Sequence, residues 1–495
     1  MNQTSPFTPT FGSSPSVPVG RTDIVESFTL ALRSGPGSPS RALLLSGTRG
    51  VGKTVLLNEV EDAAREQGWA VITETALPGL VNRLVNEHLP ALLQMVDPRS
   101  TVRRVTGVTG PAGLGGFTGT VHERHPIVPG LRTQLTQALD HLQEHHVGLL
   151  ITVDEIGRGT TAELAELAAH HQIDPGKYRL GIGQERMAVA PPDEDIISMA
   201  ANAAAPVLQD SGTDGIDTVL FASETSIDQA KSAAVSAHRL LNLPANSRTI
   251  ELKQACYSAT AALQLACAHI ARHPTRKVLI LAADIAKYDL DSAAEPTQGA
   301  AAVAMLISAN PRLATIAPES GLYSEDIYDF WRPNHRKTPL VDGKYSTLAY
   351  LKALEHAWQD YRANGGCAYD EHAAYCYHLP FNKMGIKAHA HLARINNTTA
   401  RDDTLAAGLI YSRETGNSYT ASLYASLAAM LDNRDDLGGK TLGLFSYGSG
   451  CTGEYLAATI HPDYQQHRRR DAHRALLAAR EAVDYDTYRQ WWHAA

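Results

Sequence analysis

The chain has 495 residues, 44% of them apolar and 19% charged, and a formal net charge of −8. That length accommodates about three domains of typical size, and so mild a negative balance gives no reason to expect a nucleic-acid partner. Five cysteines, all beyond residue 250 and with no C-x-x-C pair, fit a reducing cytoplasm better than a disulfide framework or a zinc site.

The opening "MNQTSPFTPTFGSSPSVPVGR" is rich in Ser, Thr and Pro. Residues 1–16 read as a flexible lead-in, and with neither a basic start nor an apolar run they make no signal peptide. No window reaches the ~20 apolar residues that span a bilayer. The expectation is a soluble, cytoplasmic protein with no membrane partner.

Residues 17–160 alternate short apolar runs with amphipathic stretches. "RALLLSG" predicts a strand, "KTVLLNEVEDAAREQG" a helix, "AVITETA" a strand, "LRTQLTQALDHLQEHH" a helix and "VGLLITVDEI" a strand. That βαβ-like order builds a parallel sheet. The loop "GVTGPAGLGGFTG" follows no strand, so it reads as a surface loop rather than a dinucleotide fingerprint. "GTRGVGKT" sits between a strand and a helix and matches G-x-x-x-x-G-K-[ST]. Gly47, Gly50 and Gly52 let backbone N–H groups close around phosphate at a helix N-terminus. Lys53 would reach the terminal phosphates and Thr54 would hold Mg²⁺. Asp154, ending an apolar strand, would meet the metal, and Glu155 would polarise water.

With "PVGR" near residue 20, this part resembles the AAA-type P-loop ATPases of bacteria. The resemblance ends after "DEIGRGTTAELAELAA", where further strands, a polar sensor and a helical lid are not recognisable. It implies a truncated P-loop NTPase α/β domain over 17–160, with ATP and Mg²⁺ as the ligands of the loop.

Residues 161–495 repeat an α/β pattern. The strands "DTVLFASE", "KVLILAAD" and "AVAMLIS" alternate with Ala-rich helices, one of them from Tyr257 to Ala271. The tail "HRRRDAHRALLAAREAVDYDTYRQWW" reads as one helix with a basic, solvated first turn. The 21 histidines include close pairs such as His122/His125 and His389/His391. Without a compatible third ligand these read as surface residues, and no metal site is expected.

In "ELKQACYSATAALQLACAHIARHP", Cys256 stands where a polar approach gives way to an apolar helix. A thiol at a helix N-terminus feels the positive end of the dipole, which favours thiolate; a small core residue is the plain alternative. Cys267, about three turns along the same face, reads as core.

"ACYSATAALQLA", "AEPTQGAAAVAMLIS", "DIYDFWRP", "PLVDGKYS", "YHLPFNKMG", "GNSYTASLY" and "GLFSYGSG" follow in this order. Together they resemble bacterial hydroxymethylglutaryl-CoA (HMG-CoA) synthase of the mevalonate pathway, from about residue 162 to the end. The resemblance implies a thiolase-type layered α-β-α-β-α fold over 161–495, in two α/β halves that meet near 310–320, and a homodimer. It implies the condensation of acetyl-CoA with acetoacetyl-CoA through an acetyl-cysteine intermediate, giving HMG-CoA and free CoA with no further cofactor. Cys256 then matches the acyl-accepting cysteine, Glu224 the general acid/base and His378 the catalytic histidine. Lys383 and Lys387, four residues apart on one helix face, match lysines that meet the CoA phosphates. Asp174, Tyr288, Thr297, Ser346, Asn417 and Ser449 match positions that line the substrate pocket. Without the resemblance, Glu224 could equally cap the next helix and His378 could be a satisfied core histidine.

Two departures accompany the match. Ala293, Ala294 and Ala301 stand where the family often has glycine, which matters if any of them needs a positive φ. The family's first strand is replaced by "LLITVDEIGRGTT", and one strand does not easily serve both an ATPase sheet and a synthase sheet. The chain therefore reads as a fusion joined near 150–170. The alternative is an AAA-type ATP-binding protein or ATPase with an appended C-terminal module. A ketoacyl synthase lacks support, because "HLPFNKMG" stands where that class carries a "HQAN"-type segment.

Overall fold

The computed structural model describes residues 22–33, 53–75, 83–96, 131–144, 147–154 and 159–494. Residues 1–16, the glycines Gly47, Gly50 and Gly52, Glu155, and the pair His122/His125 lie outside these. The described residues divide into two compact units, those up to residue 154 and those from residue 159.

The first unit comprises α1 (Thr22–Arg33), α2 (Lys53–Glu66), β1 (Ala70–Thr75), α3 (Leu89–Val96), α4 (Leu131–Glu144) and β2 (Leu149–Asp154). β1 and β2 pair in parallel, Ala70 opposite Leu149 through Thr75 opposite Asp154. Apolar residues cover both faces of this ribbon. Phe28, Leu32, Val60 and Ala64 pack with Leu150, while Ile72, Leu89, Ala138 and Leu142 pack with Leu149 and Ile151. Glu61 of α2 is buried against the ribbon. Its carboxylate accepts from Thr152 Oγ1, from Thr73 Oγ1 at 2.7 Å and from Arg65 at 2.9 Å. Those donors offset the cost of taking a charge out of water. Lys53 and Thr54 open α2, and Asp154 closes β2.

The second unit begins with β3 (Thr160–Glu163), α5 (Leu164–His170) and β4 (Arg186–Val189). α6 (Ile196–Ser211), β5 (Ile216–Ala222), α7 (Ala233–Leu240), β6 (Arg248–Leu252), α8 (Ser258–Arg272), β7 (Lys277–Ala286) and β8 (Gly299–Ile307) form a first half. After β9 (Ala314–Ser324) and the two-residue strands β10 (Phe330–Trp331) and β11 (Leu340–Val341) come α9 (Gly343–Ala363), β12 (His372–Tyr377) and α10 (Asn382–Ile395). α11 (Ile410–Thr415), α12 (Ser422–Asn433), β13 (Thr441–Gly448) and β14 (Thr452–Ile460) complete the second half, and α13 (Arg470–Ala478), β15 (Glu481–Ala482) and α14 (Tyr485–Ala494) end the chain.

The two main sheets are ordered β6-β5-β7-β8 and β12-β13-β14-β9, and β15-β3-β4 form a small third one. Strands such as β5 and β7 are near-continuous apolar runs because both their faces are covered. On the inner side, Ala259, Ala262, Leu263 and Ala266 of α8 pack in one cluster with Leu423, Tyr424 and Met430 of α12. Leu220 and Ile280 of the first sheet and Leu444 and Leu456 of the second line the same cluster. Small alanines let α8 lie close to both neighbours, and Thr260 Oγ1 meets Tyr424 OH at 2.8 Å between the two helices. α6 and α7 cover the outer face of the first sheet, and α9 and α10 that of the second. The result is five layers, α-β-α-β-α.

Several expectations change. The tail is two helices, not one: β15 interrupts it by pairing with β3, and Asp484 Oδ1 caps the restart by accepting from Thr487 N at 2.8 Å. Its basic run is not merely solvated, since Arg468 and Arg470 bind Asp435 at 2.6 and 2.8 Å and Arg469 pairs with Asp210. His389 is not a surface histidine: it is buried, with Nδ1 3.1 Å from Tyr377 OH and Nε2 3.0 Å from Thr404 Oγ1. None of Ala293, Ala294 and Ala301 has a positive φ, so none needs glycine there. Among the described residues no helix is long and apolar enough to cross a membrane.

Gly321 shows how tightly the second half is packed. A Cβ there would lie 2.0 Å from Tyr361 N and 2.1 Å from Ala357 O of α9. Gly321→Ala should therefore force β9 off that helix and lower stability by about 1–3 kcal/mol, read as a shift of the urea midpoint at unchanged slope.

Candidate active site

β6 delivers the chain to Cys256 through a turn in which Ala255 is held at φ 44°. A β-carbon in that left-handed region costs on the order of 1–2 kcal/mol, and such strain persists where surrounding structure over-determines it. The second half supplies the constraint. At Gly448, ending β13, a Cβ would lie 2.5 Å from Gln254 O and 2.7 Å from Tyr257 Cβ, so only glycine lets this strand approach the turn. Ser449 O accepts from Gln254 Nε2 at 3.4 Å. Tyr257 OH donates to buried Glu454 on β14 at 2.7 Å, and Gln264 Nε2 to the same carboxylate at 2.5 Å.

Cys256 Sγ lies 3.6 Å from Glu224 Oε2, with the thiol as donor. Glu224 follows β5, and Ser223, Glu224 and Thr225 form one turn around the buried carboxylate of Asp284 on β7. Asp284 Oδ1 accepts from Ser223 Oγ (2.7 Å), Glu224 N (2.9 Å), Thr225 N (3.0 Å) and Thr225 Oγ1 (2.7 Å). Its Oδ2 accepts from Thr420 N (3.0 Å) and Thr420 Oγ1 (2.5 Å). The same loop carries Asn417, which accepts from Tyr419 N at 2.9 Å and reaches Tyr288 OH at 3.4 Å. Tyr288 and Tyr419 pack together with Cys256 and Phe330 beside them. Thr297 O accepts from Asn417 N at 3.1 Å. Arg332 donates to the Glu224 carbonyl.

Burial pushes the Glu224 carboxyl well above its ordinary range, the Asp284 charge adds to this, and Arg332 and the Cys256 thiol oppose it. Burial also raises the Cys256 thiol, and the carboxylates of Glu224 and Asp284 raise it further. This differs from the dipole-lowered thiol expected from sequence. Two buried acids 3.6 Å apart titrate as a pair, with the thiol hydrogen-bonded to the group that can take its proton.

His378 follows β12. Its amide donates to Phe445 O at 2.8 Å and its carbonyl accepts from Tyr350 OH at 2.8 Å. Its ring lies face to face with Tyr350, centroids 6.4 Å apart, and Tyr350 is within electrostatic reach of Cys256. Burial holds the imidazole down at about 3, hence neutral, and its buried Nδ1 has no partner.

The sequence-predicted positions thus separate. Cys256, Glu224, Tyr288, Thr297 and Asn417 share one network, Ser449 supports the cysteine turn, and His378 joins through Tyr350. Ser346 Oγ donates at 3.0 Å to Asp329, a buried carboxylate that also holds Tyr447 OH (2.8 Å) and Gly450 N (3.0 Å). Lys383 and the exposed Lys387 lie on α10, with Lys387 Nζ 6.0 Å above the Phe381 ring. Asp174 stands apart: it is exposed, and its carboxylate accepts from Gly176 N at 2.9 Å within its own turn. Elsewhere His171, Asp291 and Glu295 bring three potential ligand atoms within 4.8 Å of one another, with Arg489 on Asp291 at 3.0 Å. Asp284, Tyr419, Tyr350 and Arg332 were not singled out from sequence. For Asp284 a signal existed, an acid inside an otherwise apolar strand.

A strained turn that presents a cysteine to a carboxylate between two layered α/β halves defines a thiol-dependent condensing enzyme of the thiolase type. Family models agree: hydroxymethylglutaryl-coenzyme A synthase N terminal matches residues 147–312, and the C-terminal model matches 317–406 and 397–489. An AAA ATPase domain model matches 17–180. The hydroxymethylglutaryl-CoA synthase of Enterococcus faecalis is 43% identical over 332 residues, covering 66% of this chain and 86% of that one. A polyketide-biosynthesis 3-hydroxy-3-methylglutaryl-ACP synthase of Bacillus subtilis is 32% identical over 62% and 79%. The solved structure of an HMG-CoA synthase complexed with CoA matches at TM-score 0.64 and 35% identity, over 67% of this chain and 86% of that one. The HMG synthase of the curacin pathway matches at 0.64 and 33%. The chain belongs to the hydroxymethylglutaryl-CoA synthase family, condensing enzymes that act on acyl-CoA thioesters.

His378 supplies a pH test. Its pKa is depressed in the folded state, so the unfolded chain binds one more proton between about pH 6.5 and about 3, and stability falls as pH drops through that window. His378→Gln should flatten the acid limb of a Tm-against-pH curve while leaving the neutral plateau little changed. An unaltered limb would mean that the buried imidazole does not set it.

Proposed function

We propose that this chain condenses acetyl-CoA with acetoacetyl-CoA, using Cys256 as the acyl carrier, Glu224 as the proton-transfer group and His378 as the hydrogen-bond donor to the electrophile. The observation that carries the reading is the 3.6 Å approach of Cys256 Sγ to the Glu224 carboxylate in a buried, strained setting. Glu224 takes the thiol proton as sulfur attacks the acetyl carbonyl, and CoA leaves as the thiol. The carboxylate then removes a proton from the acetyl methyl, and the resulting carbanion attacks the ketone carbon of acetoacetyl-CoA. A carboxyl whose pKa is raised by burial works on both sides of such a transfer. Neutral His378 donates to the developing alkoxide. Water then cleaves the enzyme thioester and releases HMG-CoA.

Tyr288, Thr297, Asn417, Ser346 and Ser449 would shape the acyl pocket, and Lys383 and Lys387 would meet CoA phosphates from α10; Asp174 would need its turn to rearrange to take part. A homodimer, a cytoplasmic setting and a place in isoprenoid precursor synthesis belong to the same reading, as does a domain boundary near residue 160. The segment 17–160 is proposed as a truncated AAA-type P-loop unit that would bind ATP and Mg²⁺ through Gly47 to Thr54 and Asp154, with condensation independent of it.

Radiolabelled acetyl-CoA should acetylate the wild type, while Cys256→Ala should remain unlabelled and folded by circular dichroism. Glu224→Gln should form HMG-CoA about 10²–10⁴-fold more slowly. Lys53→Ala should leave CoA release from the substrate pair unchanged with or without ATP. Label on Cys256→Ala, or CoA release that requires ATP, would exclude the proposal; turnover of acetoacetyl on acyl carrier protein in preference to acetoacetyl-CoA would reassign the acceptor.

A further inference from the structure

The loop between β7 and β8 carries Asp291 and Glu295 as well as Tyr288 and Thr297. His171, which follows the last turn of α5, meets it. Its Nε2 lies 3.4 Å from Asp291 Oδ1 and 3.5 Å from Glu295 Oε2, and the three atoms lie within 4.8 Å of one another.

These separations are too long for an ion pair and suit a shared cation. An imidazolium that donates to a carboxylate closes to about 2.7–2.9 Å. Here Nε2 is shielded from water yet makes no hydrogen bond. Ligand atoms held about 2.1 Å from zinc in a tetrahedral site stand about 3.4 Å from one another, which is the spacing of Nε2 from each carboxylate oxygen.

The surroundings orient each ligand, as metal sites require. Glu295 is fully buried; Tyr488 OH donates to its Oε1 at 2.8 Å and Asp291 N to its Oε2 at 2.6 Å. A lone pair of Oε2 remains for a cation. Burial pushes this carboxyl up, and a carboxylate out of water is kept ionised by pairing or by a metal. Tyr178 OH lies 3.4 Å from His171 Nδ1, so a proton carried on Nδ1 leaves Nε2 as the free acceptor. Asp291 is exposed, which gives an ion its way in and leaves a fourth position to water. Arg489 Nη1 reaches Asp291 Oδ1 at 3.0 Å and uses one of the two lone pairs of that oxygen. The same Nη1 also donates to Tyr485 OH at 2.7 Å.

We propose that His171, Asp291 and Glu295 bind a zinc-like divalent cation, with water as the fourth ligand. Its role is structural: it ties the end of α5 to the β7–β8 loop. Glu295 passes the constraint on, because Tyr488 OH accepts from Gln298 Nε2 at 2.6 Å and Gln298 Oε1 accepts from Tyr288 N at 2.8 Å. The cation thereby steadies the loop whose Tyr288 packs beside Cys256.

Metal content of the full chain, stripped with a chelator and then dialysed against dilute Zn²⁺, tests this without reference to catalysis. Because the chain has 21 histidines and five cysteines, the difference between variants is read rather than the total. His171→Gln and Asp291→Asn should each hold one equivalent of zinc less than the wild type. Asparagine tolerates the left-handed backbone at 291, where φ is 61°, and circular dichroism checks that both variants are folded. Co²⁺ in place of zinc should give the visible bands of a tetrahedral site in the wild type and lose them in both variants. Equal zinc content in the wild type and the folded variants, or a Co²⁺ spectrum that they leave unchanged, overturns the proposal.

Discussion

Two loops from different halves of the second unit meet at the carboxylate of Asp284, and the geometry around Cys256 rests on that junction. One oxygen holds the turn that presents Glu224, and the other holds Thr420, at the end of the segment that carries Asn417 and Tyr419. Six donors on one buried acid are a large investment in position, since each left unpaired would cost about 1–3 kcal/mol. Burial alone would push this carboxyl up, and the bonds from Thr225, Thr420 and Ser223 oppose that rise. The residual negative character matters next door. Burial raises both Glu224 and Cys256, and the Asp284 charge adds to each rise.

The same logic separates what was legible in the sequence from what was not. Local signals served well: the apolar helix after Cys256, the strands ending in Ala222 and Ala286, and the helix opened by Lys53 follow period and capping rules that need only neighbouring residues. The place of Cys256 just ahead of an apolar helix was legible, but the direction of its pKa was not. The helix dipole can be read from adjacent sequence, whereas desolvation and Glu224, 32 residues away, depend on the finished fold. His389 misled for the same reason, because its partners Tyr377 and Thr404 come from other elements. The tail misled because Glu481–Ala482 carries no strand signal of its own and is strand only through β3.

The duplicated plan of the halves explains the distribution of burial better than composition does. α8 and α12 are enclosed by both sheets and read as Ala- and Leu-rich. β8 carries no polar side chain and β14 carries Thr452, Glu454 and Thr459, yet β14 is the more buried, and the difference is topological: among the described residues β14 has a strand on each side and β8 has one. Hydrophobicity along a strand reports which faces are covered; it is silent about edges, whose backbone groups carry the unmet demand.

That silence applies equally to Leu149–Asp154, which both family models include. A strand is specified by alternation and apolar content, not by the sheet that receives it, so "LLITVD" satisfies either neighbour equally well in sequence. In the first unit Thr152 binds the Glu61 carboxylate. Both family models overlap at these residues, and among the described residues the outer edge of β8 has no strand beside it. The catalytic turn lies on the opposite side of β7 from that edge, held by β5, β6 and Asp284. The geometry around Cys256 therefore rests on the paired strands β5 and β7 rather than on that edge.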